Sequence, residues 1–139
     1  MAMSGVTLKD EVRTAIDNLR LKKTRYVMMV IGEDGKQIEV MEIGKRNVTY
    51  ADFKDRLSSS KPCYVAFDFE HEGADLGREK LILIQWIPDG SKPREKMLYS
   101  ASRDALSSVS EGYLPIQAND VSALDVDEIV RKVKSHRSA

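Results

Sequence analysis

Cys63-Tyr64-Val65-Ala66-Phe67-Asp68-Phe69, then a polar loop from His71 to Gly77, then Lys80-Leu81-Ile82-Leu83-Ile84-Gln85-Trp86-Ile87: the fold turns on this stretch. Both runs are apolar and partly β-branched or aromatic, which is the composition of strands. The polar break between them reads as a hairpin connection. Neither run alternates between polar and apolar residues. A strand that is apolar throughout has no face to offer water, so its sheet must be covered on both sides. Pro88-Asp89-Gly90 breaks the second strand.

Upstream, Tyr26-Val27-Met28-Met29-Val30-Ile31 reads as another strand, and Gly32-Glu33-Asp34-Gly35 as a turn. Ile38 and Val40 alternate with polar neighbours, so a second hairpin follows. Residues 7–20 predict an amphipathic helix carrying Val12, Ala15, Ile16 and Leu19, with Thr7 as its N-cap and Asp10 in its first turn. Thr49-Tyr50-Ala51-Asp52 starts a short helix ending near Leu57. Downstream, a long helix is expected from about Pro93 to Ser110, because proline is tolerated in a first turn. Gly112 ends it, and Tyr113-Leu114-Pro115-Ile116 is a short strand whose proline suits a sheet edge. Leu124, Val126, Ile129, Val130 and Val133 belong to one or two C-terminal helices. The order α-β-β-α-β-β-α-β-α defines an α/β (α+β) chain with a central mixed five-stranded sheet flanked by helices on both faces. The whole of 1–139 is read as one domain, with residues 1–6 and 135–139 as flexible ends.

Composition narrows the function classes. With 42% hydrophobic residues the chain of 139 can fill a single core. Lys+Arg 22 equals Asp+Glu 22, which argues against a generic nucleic-acid binder but permits local basic patches. The single cysteine, Cys63, has no intramolecular disulfide partner, which fits a reducing compartment. Met1 to Val6 lacks a signal-peptide core, and no apolar run approaches the roughly 20 residues of a membrane span, so a cytoplasmic protein is expected. His71, His136 and Cys63 are far apart in sequence. There is no metal-ligand spacing, Walker loop or Gly-x-Gly-x-x-Gly, so neither catalysis nor a cofactor or metal is expected.

Chemistry of another kind sits on the long helix. At about 100° per residue, Leu98, Tyr99, Ser102, Ala105, Leu106 and Val109 form the core stripe. Lys96, Met97, Ser100, Arg103, Asp104 and Ser107 fall on the opposite side. Met97 is out of place there. A flexible apolar side chain on a strip of small residues, flanked by Arg94 and Lys96, suits insertion into an apolar cleft of a partner, with the charges steering it.

Four segments, in order, resemble the actin-depolymerising factor (ADF)/cofilin family. They are Ser4-Gly5-Val6 at the start, Tyr64-Val65-Ala66-Phe67-Asp68-Phe69, Trp86-Ile87-Pro88-Asp89, and the helix Arg94-Glu95-Lys96-Met97-Leu98-Tyr99-Ser100-Ala101-Ser102-Arg103-Asp104-Ala105-Leu106. The resemblance implies a single ADF-homology (gelsolin-like) domain, a monomer without cofactor or enzymatic activity, that binds actin monomers and filaments and promotes depolymerisation and severing. It implies a monomer-binding surface at Ser4, Gly5, Val6, Arg94, Lys96, Met97, Arg103 and Asp104. It also implies a filament-binding set at Arg78, Lys80, Arg131 and Lys132, and Ser4 as a candidate phosphorylation site. The chain departs from many relatives at Ser107 and Ser108, where they carry a basic pair, and at Asp127 and Glu128, which make the C-terminal helix less basic on its first turn. Both departures lower the expected filament affinity. Lys22 and Lys23, with Arg94 and Lys96, form a candidate phosphoinositide cluster. Alternative roles on the same fold are a coactosin-like or glia-maturation-factor-like module without depolymerising activity, or a phosphoinositide-binding regulator.

Overall fold

The structure, a computed structural model, describes residues 5–70 and 80–138, without the side chains of Lys80 and 136–138. Strand β4, Cys63–Phe69, is buried at every position, as its unbroken apolar run predicts. It pairs antiparallel with β2 (Thr24–Ile31) on one side and β5 (Lys80–Trp86) on the other. With β1 (Thr7–Leu8), β3 (Gln37–Lys45) and β6 (Leu114–Ala118), the sheet has six strands in the order β1-β3-β2-β4-β5-β6. The two edge strands, β1 and β6, pair in parallel and the interior pairs are antiparallel, so the sheet is mixed.

Alternation along the strands splits the interior into two layers. Met28, Val65, Phe67, Ile84 and Trp86 face α2 (Tyr50–Lys54) and α4 (Val126–Ser138), meeting Phe53, Ile129 and Val133. Val27, Met29, Tyr64, Ala66 and Leu83 face α1 (Asp10–Arg20) and α3 (Pro93–Ser102), meeting Val12, Ile16, Leu19 and Tyr99. Each fully buried large side chain contributes about 1.5–3 kcal/mol, so the two layers together hold the sheet between helices. The hairpin of β2 and β3 shows how tight the first layer is. Tyr26 lies opposite Gly44, and a Cβ at Gly44 would come within 2.0 Å of the Tyr26 ring.

Several expected boundaries move. Helix α1 starts at Asp10, with Lys9 and not Thr7 before it. The backbone ahead of it is claimed by the sheet: Thr7 N–H donates to Lys36 O and Lys9 N–H to Ile38 O, both at 3.0 Å. This is the sixth strand, where five were expected. The long helix is also shorter. It is α-helical only over Pro93–Ser102 and tightens to a 3-10 turn over Arg103–Leu106. Ser102 Oγ–H donates to Leu98 O at 2.6 Å, a back-bond that favours bending, and the next turns close by Ser107 N–H to Asp104 O and Val109 N–H to Leu106 O. The short helix begins as expected: Thr49 Oγ1 accepts from Asp52 N–H at 3.1 Å. At the C-terminus a 3-10 turn, Val121–Leu124, precedes α4, whose helical backbone runs to Ser138, into the segment expected as a tail. The 71–77 loop lies outside the described residues.

Candidate functional site

Helix α3 is held on the sheet by its core side. Tyr99 is buried, and its Oη accepts from Ile31 N–H at 2.8 Å. Tyr64 Oη donates to the Tyr99 carbonyl, and the two rings lie 5.2 Å apart. Burial raises both phenols above their ordinary range, so each stays protonated and keeps its hydrogen-bond role. The helix entry is fixed by a close approach. Trp86 Nε1–H donates to Ser58 O at 2.8 Å, and a Cβ at Gly90 would come 2.7 Å from Ser59 O, so only glycine fits there. Pro93 then occupies the first turn.

With its inner side fixed, the outer side of α3 is presented rigidly. Met97 is 74% exposed, and Arg94, Ser100 and Asp104 are exposed around it. Lys96 and Arg103 are half-buried. Arg94, Met97 and Lys92 line an open cleft with Glu33, Asp34 and Lys61. Of the N-terminal residues expected on this surface, Gly5 is exposed and Ser4 lies outside the described residues. Val6 is a correction: it is 8% exposed and packs in the α1/α3 layer, so its side chain anchors the segment and is not offered to a partner. The strand that follows it, β1, lies against the Arg103–Leu106 turn, which brings the N-terminal segment and the end of the α3 element together.

The other expected sets fare differently. Arg131 is exposed and paired with Glu128 at 2.5 Å, and that bond to Arg131 lowers the Glu128 carboxyl below its usual value. Lys132 lies beside Arg131 on α4, on the face of the sheet opposite α3. Lys80 opens β5 opposite Phe69, and Arg78 lies outside the described residues. The phosphoinositide cluster is not assembled. Lys22 and Lys23 precede Thr24, whereas Tyr99 of α3 bonds at Ile31, the far end of β2. The strand between them spans about 23 Å, so Lys22 and Lys23 cannot share one headgroup with Arg94 and Lys96.

Sequence reasoning missed a buried ion cluster at the Thr24 end of β2. Asp68 is 1% exposed, and its Oδ2 accepts from Arg46 Nη1 at 2.7 Å and Lys22 Nζ at 3.4 Å. Arg25 donates to the carbonyls of Asp68 and Arg46 and pairs with Glu70. One acid in an otherwise apolar strand was the available signal. Cys63 is buried, and burial pushes its thiol up to about 12, which makes it a packing residue and not a nucleophile. Among the described residues no three metal-ligating side chains converge, and no helix is long and apolar enough to cross a membrane.

A sheet covered on both faces, a docked helix with an apolar residue facing outward, and the motif order along the chain define one class. Residues 5–134 match the cofilin/tropomyosin-type actin-binding protein family, and the chain belongs to it. Among individual proteins, it is 51% identical to ADF/cofilin from Trypanosoma brucei, whose solution structure covers 99% of this chain and 100% of its own with a TM-score of 0.80. It is 34% identical to actophorin of Entamoeba histolytica over 96% of this chain and 98% of the relative. Coactosin from Entamoeba histolytica, at 20% identity and a TM-score of 0.83 over 99% of this chain and 100% of its own, shares the fold. Members of this family are actin-binding proteins and not enzymes.

Proposed function

We propose that this chain binds actin monomers through the outer side of α3 and the adjoining N-terminal segment, and that it promotes filament depolymerisation, severing and turnover in the cytoplasmic actin cytoskeleton. The observation that supports it most is Met97, 74% exposed on a helix whose other side is locked by two buried tyrosines. A rigid helix with a flexible apolar anchor and flanking charges suits a cleft on a partner. Binding of this kind loosens filaments only through its differential affinity for the two arrangements of the subunits. Filament contacts are assigned to Arg78, Lys80, Arg131 and Lys132. Arg131 and Lys132 are on the α4 face, away from α3, so the two surfaces are separable.

The test is filament disassembly watched by fluorescence microscopy, alongside binding of labelled monomers. The wild-type chain shortens or fragments filaments. Arg94→Ala with Lys96→Ala lowers monomer affinity by about 2 kcal/mol, some thirtyfold, with stability unchanged within about 0.5 kcal/mol. Survival of both activities in that variant overturns the α3 assignment, and inert decoration of filaments by the wild type points to a coactosin-like role.

A further inference from the structure

A groove of about 450 Å³ runs between α3 and the β5–β6 edge of the sheet. Gln85 and Gln117, neighbours in the parallel register of those strands, both line it. So do Lys96, Arg103 and Asp104 from the α3 element, and Asp89 from the turn before it. None of these four charged side chains is ion-paired among the described residues. Gln85 is 6% exposed, and its amide Oε1 is buried without a hydrogen-bond partner among the described residues.

A buried acceptor that nothing completes raises the free energy of the folded chain. An apolar side chain of similar size would remove that penalty, and the rest of the strand, Leu81-Ile82-Leu83-Ile84, is apolar. An amide at this one position therefore looks outward from the free fold, to something that completes it.

We infer that Gln85 is a binding residue for the actin partner: on docking, a lysine or arginine donor enters the groove and pairs with Gln85 Oε1. Asp89 and Asp104 give that donor acidic surroundings, and Lys96 and Arg103 remain for acidic groups of the partner. The inference rests on the reading of α3 as the actin-binding helix, since Lys96, Arg103 and Asp104 belong both to that face and to the groove.

Gln85→Met and Gln85→Leu keep the bulk and remove the acceptor. Both are measured by thermal unfolding and by titration against labelled actin monomers. The expected pattern is opposed: Tm equal to or above wild type, with monomer affinity down about tenfold because the partner's donor is left buried and unpaired. Two results overturn it. Unchanged affinity in the variants means that water, not the partner, completes the amide. A lower Tm in both variants means that the amide supports the free fold. If the wild-type chain itself fails to bind monomers, the actin reading falls, whereas wild-type binding with unaltered variants removes only the role of Gln85.

Discussion

The two ends of the central strands treat charge in opposite ways. At the Thr24 end, Lys22, Arg25, Arg46, Asp68 and Glu70 bond to one another and to backbone carbonyls. At the α3 end, Lys96, Arg103, Asp89 and Asp104 line one groove without pairing among the described residues, next to an exposed methionine. The first arrangement fixes the fold: a carboxylate as buried as Asp68 is tolerated only with cations held against it. The second leaves electrostatic capacity for a partner. A basic cluster in sequence is thus poor evidence of a binding site until its partners are known, and Lys22, held against Asp68, illustrates the point.

The contrast can be broken by removing one group from each end. The largest effect is expected from Arg46→Ala, which strips Asp68 of its nearest cation; chemical denaturation should show a loss of about 3 kcal/mol, discounted for the partial exposure of Arg46, with monomer binding by the folded fraction unchanged. A loss below about 0.5 kcal/mol would show that the cluster is decorative. Next comes Met97→Ala, at the other end. Its unfolding free energy should stay within about 0.5 kcal/mol of wild type while actin-monomer affinity falls about tenfold. A clear destabilisation with normal binding would place Met97 with the core. The smallest effect belongs to Arg131→Ala. Its pair with Glu128 is exposed to solvent and screened, so no measurable change in stability is expected. Reduced co-sedimentation with filaments, with unaltered monomer binding, is the result that would sharpen the division between the α3 and α4 faces.

Much of this architecture can be read from residue patterns. The two hairpins, the double covering of the sheet and the edge position of the Leu114–Ala118 strand all follow from apolar runs and turn residues. The same holds for the outward position of Met97, since a residue off the core stripe has nowhere else to go. Thr7–Leu8 is too short to show a period, and its strand exists only because Lys36 and Ile38 offer carbonyls from a distant segment. The tightening after Ser102 depends on one hydroxyl choosing the Leu98 carbonyl, which a polarity wheel does not register. Val6 was assigned to the surface by motif and went to the core by packing. Gln85 and Asp68 are each visible as a polar residue in an apolar strand, but only the three-dimensional neighbours show that cations hold Asp68 Oδ2, whereas Gln85 Oε1 and Asp68 Oδ1 have no hydrogen-bond partner among the described residues. What docks on α3 is a property of two molecules, and half of it is written in another sequence.

The contact between Gly44 and the Tyr26 ring carries an evolutionary consequence. No side chain can be added at position 44 while an aromatic ring occupies 26, because the added Cβ would lie 2.0 Å from that ring. In relatives that keep this register, a side chain at 44 requires a smaller residue at 26, whereas 26 can shrink while 44 stays glycine. Invariance at position 44 across such a lineage would therefore record a packing constraint, and reading it as a mark of actin contact would be a mistake.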